Sequence, residues 1–203
     1  MKVFLDTEFT GLHQNTSLLS IGIIDEDGRT FYAEISDYDF TQMDEWLLEN
    51  IMSHMIFEPA KPGEEEYYSA ERFDDNPIGQ DLYKSYSLKM RGTIKEVAQE
   101  LEKWLNQYDK VEIWSDCLAY DWMLFCQMFG GAMNIPSNVY YIPFDICTLF
   151  IMEGIDPDIS REFYIRERLD NIDMPLFMKH NALWDAKVIR ECFFKLTDKI
   201  KNH

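Results

Sequence analysis

The sequence predicts a mixed α/β fold, a five-stranded mixed sheet in which three antiparallel strands are followed by parallel ones, flanked by helices. Three observations carry that expectation. Strand-like runs separated by tight turns fill the first 35 residues. From Thr93 onward helical and strand-like runs alternate, the order that lays helices across a sheet. The chain then closes on a long helical run.

Lys2–Phe9 reads as the first strand, ending in a turn at Thr10–Gly11. Leu18–Ile24 (LLSIGII) is apolar on both faces, the mark of a central strand. Asp27–Gly28 is a hairpin turn, and Thr30–Ile35 alternates as the returning strand. Gln42–Ile56 has helical spacing through Trp46, Leu47, Ile51 and Met55. From about 57 to 86 the chain is rich in Pro, Gly, Asp and Glu, which predicts a long acidic surface excursion. Thr93–Asn106 is an amphipathic helix with Thr93 near its N-cap. Val111–Trp114 is a short buried strand, and Tyr120–Phe129 a helix ending at Gly130–Gly131. Tyr140–Phe144 supplies the fifth strand and Ala182–Lys201 the last helix. Residues 1–203 read as one domain, with a site expected where loops and helix starts gather at one sheet edge.

Charge narrows the class. The formal net charge is −18, and residues 1–80 carry −14 of it. A protein that coats nucleic-acid backbone should be basic, because phosphate contacts supply most non-specific affinity. An enzyme that grips a few phosphates through bound cations is not excluded. Cys117, Cys126, Cys147 and Cys192 form no CxxC pair, so neither a zinc site nor a disulfide framework is expected. Met1 leads straight into an acidic strand and no apolar run approaches a membrane span, so a reduced cytoplasm is the expectation.

Asp6 and Glu8 lie two apart in a strand and so share one face, with Leu5 and Thr7 on the other. Two carboxylates on one face of an apolar strand repel, and hard divalent cations prefer such oxygen ligands. The plainer alternative is that one is solvated and the other pairs with a Lys or Arg. Asp121 and its rival Asp116 both suit a helix start, where either serves as a simple cap; Asp145 is a weaker candidate at a turn. His180 and Asp185 open the last helix, where a surface His and a dipole-favoured acid need no further role.

The ordered set FLDTEFTGL, AYDWMLF and HNALWDA resembles the DEDDh family of 3′→5′ exonucleases, of the RNase H-like superfamily. The likeness spans the chain, and the His-x4-Asp spacing of His180 and Asp185 belongs to the branch with a histidine. It implies that Asp6, Glu8, Asp121 and Asp185 hold two Mg²⁺ or Mn²⁺ ions, with His180 as the catalytic base. It also implies that Thr7, Phe9 and Leu12 contact the last nucleotide, although core packing suits Phe9 as well. LKMRGTIKEVAQELEKWL, WSDCLAYDWMLFCQMFG and MNIPSNVYYIPFDICTL are similar to the small bacterial and phage exoribonuclease-like subfamily. That likeness favours RNA over DNA, as single-stranded or 3′-overhanging ends. A homodimer accords with the resemblance but has no residue-level support.

The sequence departs from the family pattern at Phe9, where many relatives have a second Thr, at the bulky Trp184, and at Ser115–Asp116 in place of a His-Asn pair. Lys84, Lys89, Arg91, Lys179 and Lys187 are candidates to track a nucleic-acid strand or are ordinary surface charge. Three other readings remain: a DNA exonuclease, a catalytically silent nucleic-acid- or protein-binding module on the same fold, and an acidic interaction protein that uses the −14 segment as its working surface.

Overall fold

A computed structural model describes residues 1–57, 69–74, 86–172 and 178–201. In chain order the strands are β1 (Lys2–Phe9), β2 (Leu18–Asp25), β3 (Thr30–Ile35), β4 (Ser69–Asp74), β5 (Tyr86–Gly92), β6 (Glu112–Ser115) and β7 (Phe144–Asp145). The helices are α1 (Glu45–Asn50), α2 (Ile94–Leu105), α3 (Ala119–Met128), α4 (Ile146–Met152), α5 (Arg161–Tyr164) and α6 (Ala182–Lys201). One sheet runs in the order β4-β5-β3-β2-β1-β6-β7. β1, β2 and β3 form the antiparallel meander, and β6 and β7 follow in parallel beside β1. The class is therefore the expected mixed α/β sheet flanked by helices.

The strand count differs from the expected five. β5 pairs in parallel with β3 and β4 adds antiparallel to β5, so the sheet has seven strands among the described residues. LKMRG at 88–92 does not advertise a strand by composition; it becomes one because the open edge of β3 has unpaired backbone groups to satisfy. Most of the acidic stretch from 57 to 86 lies outside the described residues, and Ser69–Asp74 within it belongs to the sheet.

Two further elements depart from expectation. The helix predicted over 42–56 is a 3₁₀ turn at Phe40–Gln42, then α1, then a second 3₁₀ turn at Met52–His54. Met43 is extended, and Asp44 restarts the chain as a helix by capping Leu47 N at 2.8 Å. The fifth strand is cut to Phe144–Asp145, with an isolated bridge from Val111 to Val139. Pro143 offers no N–H to a ladder, and Asp145 turns the chain by capping α4 at Cys147 N (2.7 Å). α2 conforms: Thr93 and Glu96 form a reciprocal capping box.

Burial follows the alternation of the strands. Val3 and Leu5 face the layer of α2 and α3 with Trp104, Leu101 and Phe125, while Phe4 and Ile24 face α6 with Trp184, Ile189 and Phe193. A third cluster of Leu19, Leu47 and Ile51 seats α1 against the sheet. Each such side chain stabilises the fold by about 1.5–3 kcal/mol on burial. β2, between β1 and β3, is buried along its whole length.

One contact positions everything that follows. A Cβ on Gly22 would lie 2.2 Å from the carbonyl carbon and oxygen of Ala182, so the first residues of α6 rest directly on β2. Gly22 is the register partner of Asp6 on β1 and of Tyr32 on β3. The helix start therefore sits between those two side chains.

Candidate active site

β1 delivers Asp6 and Glu8 to the α6 side of the sheet, as the alternation predicts. α6 brings Asp185 down in its first turn, where a carboxylate also favours the positive end of the helix. Asp6, Glu8 and Asp185 each offer one oxygen, and the three oxygens lie within 4.8 Å of one another.

Asp121 comes from the opposite face and stands apart from that trio. Its Oδ1 accepts from the Thr7 amide (3.1 Å) and the Thr7 hydroxyl (2.5 Å), and its Oδ2 accepts from the Ser115 hydroxyl (3.0 Å). Thr7 thus places Asp121 behind Asp6 and Glu8, close enough for its charge to act on both.

The electrostatics are those of a site built for positive charge. Burial, then Asp185 and Asp121, pushes the Glu8 carboxyl up to about 8. Burial raises Asp185 to about 7, and raises Asp121 to about 6 against the hydrogen bonds of Thr7 and Ser115. Asp6 is held well above the carboxylate range by burial and by Asp185, Asp121, Glu8 and Asp116. Without a cation these groups repel and bind protons. Hard divalent ions, with their preference for carboxylate oxygen, fit the donor set.

His180 precedes the helix with φ 67°, a left-handed conformation uncommon for a residue with a Cβ. Its amide donates to Asp185 Oδ2 at 2.9 Å, which ties the loop to the carboxylate trio. Burial, with Lys179 and His54 nearby, lowers the His180 pKa, so the ring is neutral at physiological pH. Its ring meets the edge of Trp46 at 5.7 Å between centroids.

Two clefts meet at Glu8 and Phe9. The larger, about 470 Å³, is lined by Asp6, Glu8, Asp185 and His180, with Lys179 and Arg161 on its walls. The second, about 380 Å³, is mostly apolar and is lined by Phe9, Leu12, Trp46, Leu47 and Ile51. Phe9 stacks on Tyr120 at 5.3 Å, while Leu12 is 77% exposed and Trp46 52% exposed.

Asp116, the rival of Asp121, is committed elsewhere. Arg161 grips it with two bonds, Nε to Oδ2 at 2.6 Å and Nη2 to Oδ1 at 2.8 Å, and the Cys147 thiol donates to Oδ1 at 3.0 Å. Asp116, Asp145 and Cys147 also lie within ligand distance of one another, but the guanidinium already supplies the cation there. Asp145 caps α4. Among the basic candidates, Lys179 lines the cleft, Arg91 is buried against Glu34 (3.5 Å), and Lys84 lies outside the described residues. Arg91 is therefore withdrawn as a strand-tracking residue, because its charge is satisfied inside the fold.

Sequence reasoning missed Trp46, whose spacing resembled a core position, and Arg161, which carries no local signal. It also passed over Asn181, although Asn before a helix is a capping residue: its Oδ1 accepts from Leu183 and Trp184 amides at 3.1 and 3.2 Å.

Fold and site define a class, mixed α/β proteins with a carboxylate cluster where the first strand meets the last helix. The chain belongs to the 3′-5′ exoribonuclease Rv2179c-like domain family, whose model matches residues 1–196. It is similar to the 3′-5′ exoribonucleases Rv2179c and MT2234.1 of two Mycobacterium tuberculosis strains, H37Rv and CDC 1551. Each is 27% identical over 141 residues, or 68% of this chain and 67% of the relative. Among solved structures it is similar to the catalytic unit (protease and nuclease domain) of Neurospora crassa Pan2, with a TM-score of 0.49 and 18% identity. That match covers 100% of this chain and 28% of the other. Among the described residues, no helix is long and apolar enough to cross a membrane.

Proposed function

We propose that the chain is a metal-dependent 3′→5′ exoribonuclease that trims RNA 3′ ends or overhangs and releases nucleoside 5′-monophosphates. The observation that carries this reading is the trio Asp6, Glu8 and Asp185, three carboxylate oxygens within 4.8 Å in the cleft that His180 also lines. Family membership and the exoribonuclease activity for which the M. tuberculosis relatives are named support it.

Asp6, Glu8 and Asp185, with Asp121 behind Thr7, would hold two divalent ions, Mg²⁺ or Mn²⁺. Bound there, the ions would supply neutralising charge for the phosphate and would lower the pKa of a water. His180 then takes the proton of the attacking water, which a neutral imidazole can accept. The new P–O bond forms as the bond from phosphorus to the penultimate 3′-oxygen breaks. That oxygen takes up a proton from solvent to become the new 3′-hydroxyl, the His180 proton returns to solvent, and the phosphate departs on the released nucleotide.

The apolar cleft beside Glu8 suits the terminal base, with Phe9, Leu12 and Trp46 as the surfaces it would lie against. Thr7 contributes through Asp121, which both its amide and hydroxyl hold. Lys179 on the wall of the larger cleft offers a cation to the phosphate.

The test is digestion of a 5′-labelled RNA duplex with a 3′ overhang, beside its DNA counterpart, with Mg²⁺, Mn²⁺ or EDTA. A metal-dependent ladder shrinking from the 3′ end, faster on RNA and absent in Asp6→Ala, is the expected result. Faster digestion of DNA would replace exoribonuclease with DNA exonuclease. Binding without cleavage of either would favour the silent nucleic-acid-binding module.

A further inference from the structure

Asp6, Gly22 and Tyr32 form a row across β1, β2 and β3, all on the face that carries α6. On one side of the glycine, Asp6 meets Asp185. On the other, Tyr32 meets the residue that follows His180. The fully buried Tyr32 hydroxyl donates to Glu34 Oε1 at 2.8 Å and accepts from Asn181 Nδ2 at 3.3 Å. Asn181, 2% exposed, also donates from Nδ2 to the carbonyl oxygen of His54 at 2.9 Å. Glu34 in turn accepts from the amides of Ile56 and Phe57 at 2.6 and 3.1 Å.

Capping α6 requires only the side-chain oxygen of Asn181. The amide nitrogen is an addition: it fastens the start of the helix sideways, to β3 and to the segment after α1. The residue next to it is His180, held at φ 67°, and a left-handed non-glycine residue persists only where its surroundings impose it. Asp185 restrains His180 from one side through the His180 amide. The Glu34–Tyr32–Asn181 chain restrains it from the other.

We propose that Asn181 and Tyr32 are positioning residues for His180, holding its backbone in the left-handed conformation and its ring at the carboxylate centre. The catalytic part of this statement rests on His180 being the proton acceptor proposed above. The geometric part does not.

Asn181→Ser keeps a capping oxygen but removes the amide nitrogen, and Tyr32→Phe keeps the ring but removes the hydroxyl. Two readouts separate the claims. The first is kcat and KM on the overhang RNA with Mn²⁺. The second is the ¹H–¹³C signal of the His180 ring, assigned with His180→Ala and recorded without substrate. Each variant should lower kcat by about ten- to a hundredfold with KM within roughly twofold, and should shift or broaden the His180 signal. The double variant should be little worse than either single one, because both cut the same chain. A variant with wild-type kcat, or a His180 signal unmoved in both variants, overturns the proposal. Absence of cleavage by the wild-type protein overturns the exoribonuclease reading instead, and the ring signal then decides the positioning claim alone.

Discussion

Gly22 and Ala182 touch backbone to backbone: a Cβ at position 22 would sit 2.2 Å from the Ala182 carbonyl carbon. This approach lets the helix that carries Asp185 descend to the strand that carries Asp6. It makes one glycine the geometric condition for the carboxylate centre. Gly22→Ala should force α6 off the sheet, with a stability loss of about 1–3 kcal/mol or more. It should also remove the stabilisation that Mn²⁺ gives the wild type. Urea denaturation with and without Mn²⁺ reads both effects.

Asp6 faces four other acids, Asp185, Asp121, Glu8 and Asp116. Replacing it with the isosteric Asn removes repulsion from the metal-free protein while removing a proposed ligand from the loaded one. Asp6→Asn should melt about 2–6 °C higher than wild type in EDTA, roughly 1–2 kcal/mol for a chain of this size. It should show no cleavage and little further gain with Mn²⁺. Thermal melts in EDTA and in Mn²⁺ check this, and an unchanged or lower melting temperature in EDTA would count against a repulsive centre.

The raised carboxyl pKa values set a pH dependence of definite sign. Asp121, Asp185 and Glu8 titrate at about 6, 7 and 8 when folded, each above its ordinary value. Between about pH 4 and 8 the native state thus binds more protons at this site than the unfolded chain does, and stability falls as pH rises. The contribution is fully present below the ordinary carboxylate range and is lost as pH climbs through 6, 7 and 8. Urea midpoints in EDTA should drop across pH 5 to 8 relative to Asp6→Asn, and saturating Mn²⁺ should flatten the trend.

His180→Ala leaves the carboxylates in place and removes the proposed proton acceptor. Turnover should fall by about 10²–10⁴. The Mn²⁺ concentration that half-saturates the thermal shift should stay within a few fold of wild type. A loss of metal response in this variant would mean that the ring's main task is structural.

If the apolar cleft takes the terminal base as proposed, Trp46 separates binding of the base from binding of the phosphate. It lines the apolar cleft and its edge meets His180. Trp46→Ala should weaken binding of a 3′-terminal base by about 1–3 kcal/mol, seen as a raised KM. An RNA ending in an abasic nucleotide should lose that dependence. Equal effects on intact and abasic ends would place Trp46 outside the base pocket.

Much of this was legible in the sequence because it depends on short-range geometry. Strand alternation alone puts Asp6 and Glu8 on one face, and the burial of β2 follows from the apolar run LLSIGII. Thr93 announces the start of α2 as its N-cap. The motifs around Asp121 and around His180 and Asp185 were readable as an ordered set. Tertiary structure alone decided how those pieces meet. Asp121 reaches its place through Thr7 and Ser115, partners distant in the chain or on another element. Trp46 lies outside the core while Leu47 and Ile51 take the buried face against Leu19, and β5 is a strand because β3 offers an open edge. Asn181, Tyr32 and Glu34 form one chain only once α6 settles over Gly22. Local pattern reports which face a side chain takes. It does not report which distant group will share that face, because that is set by the packing of whole elements.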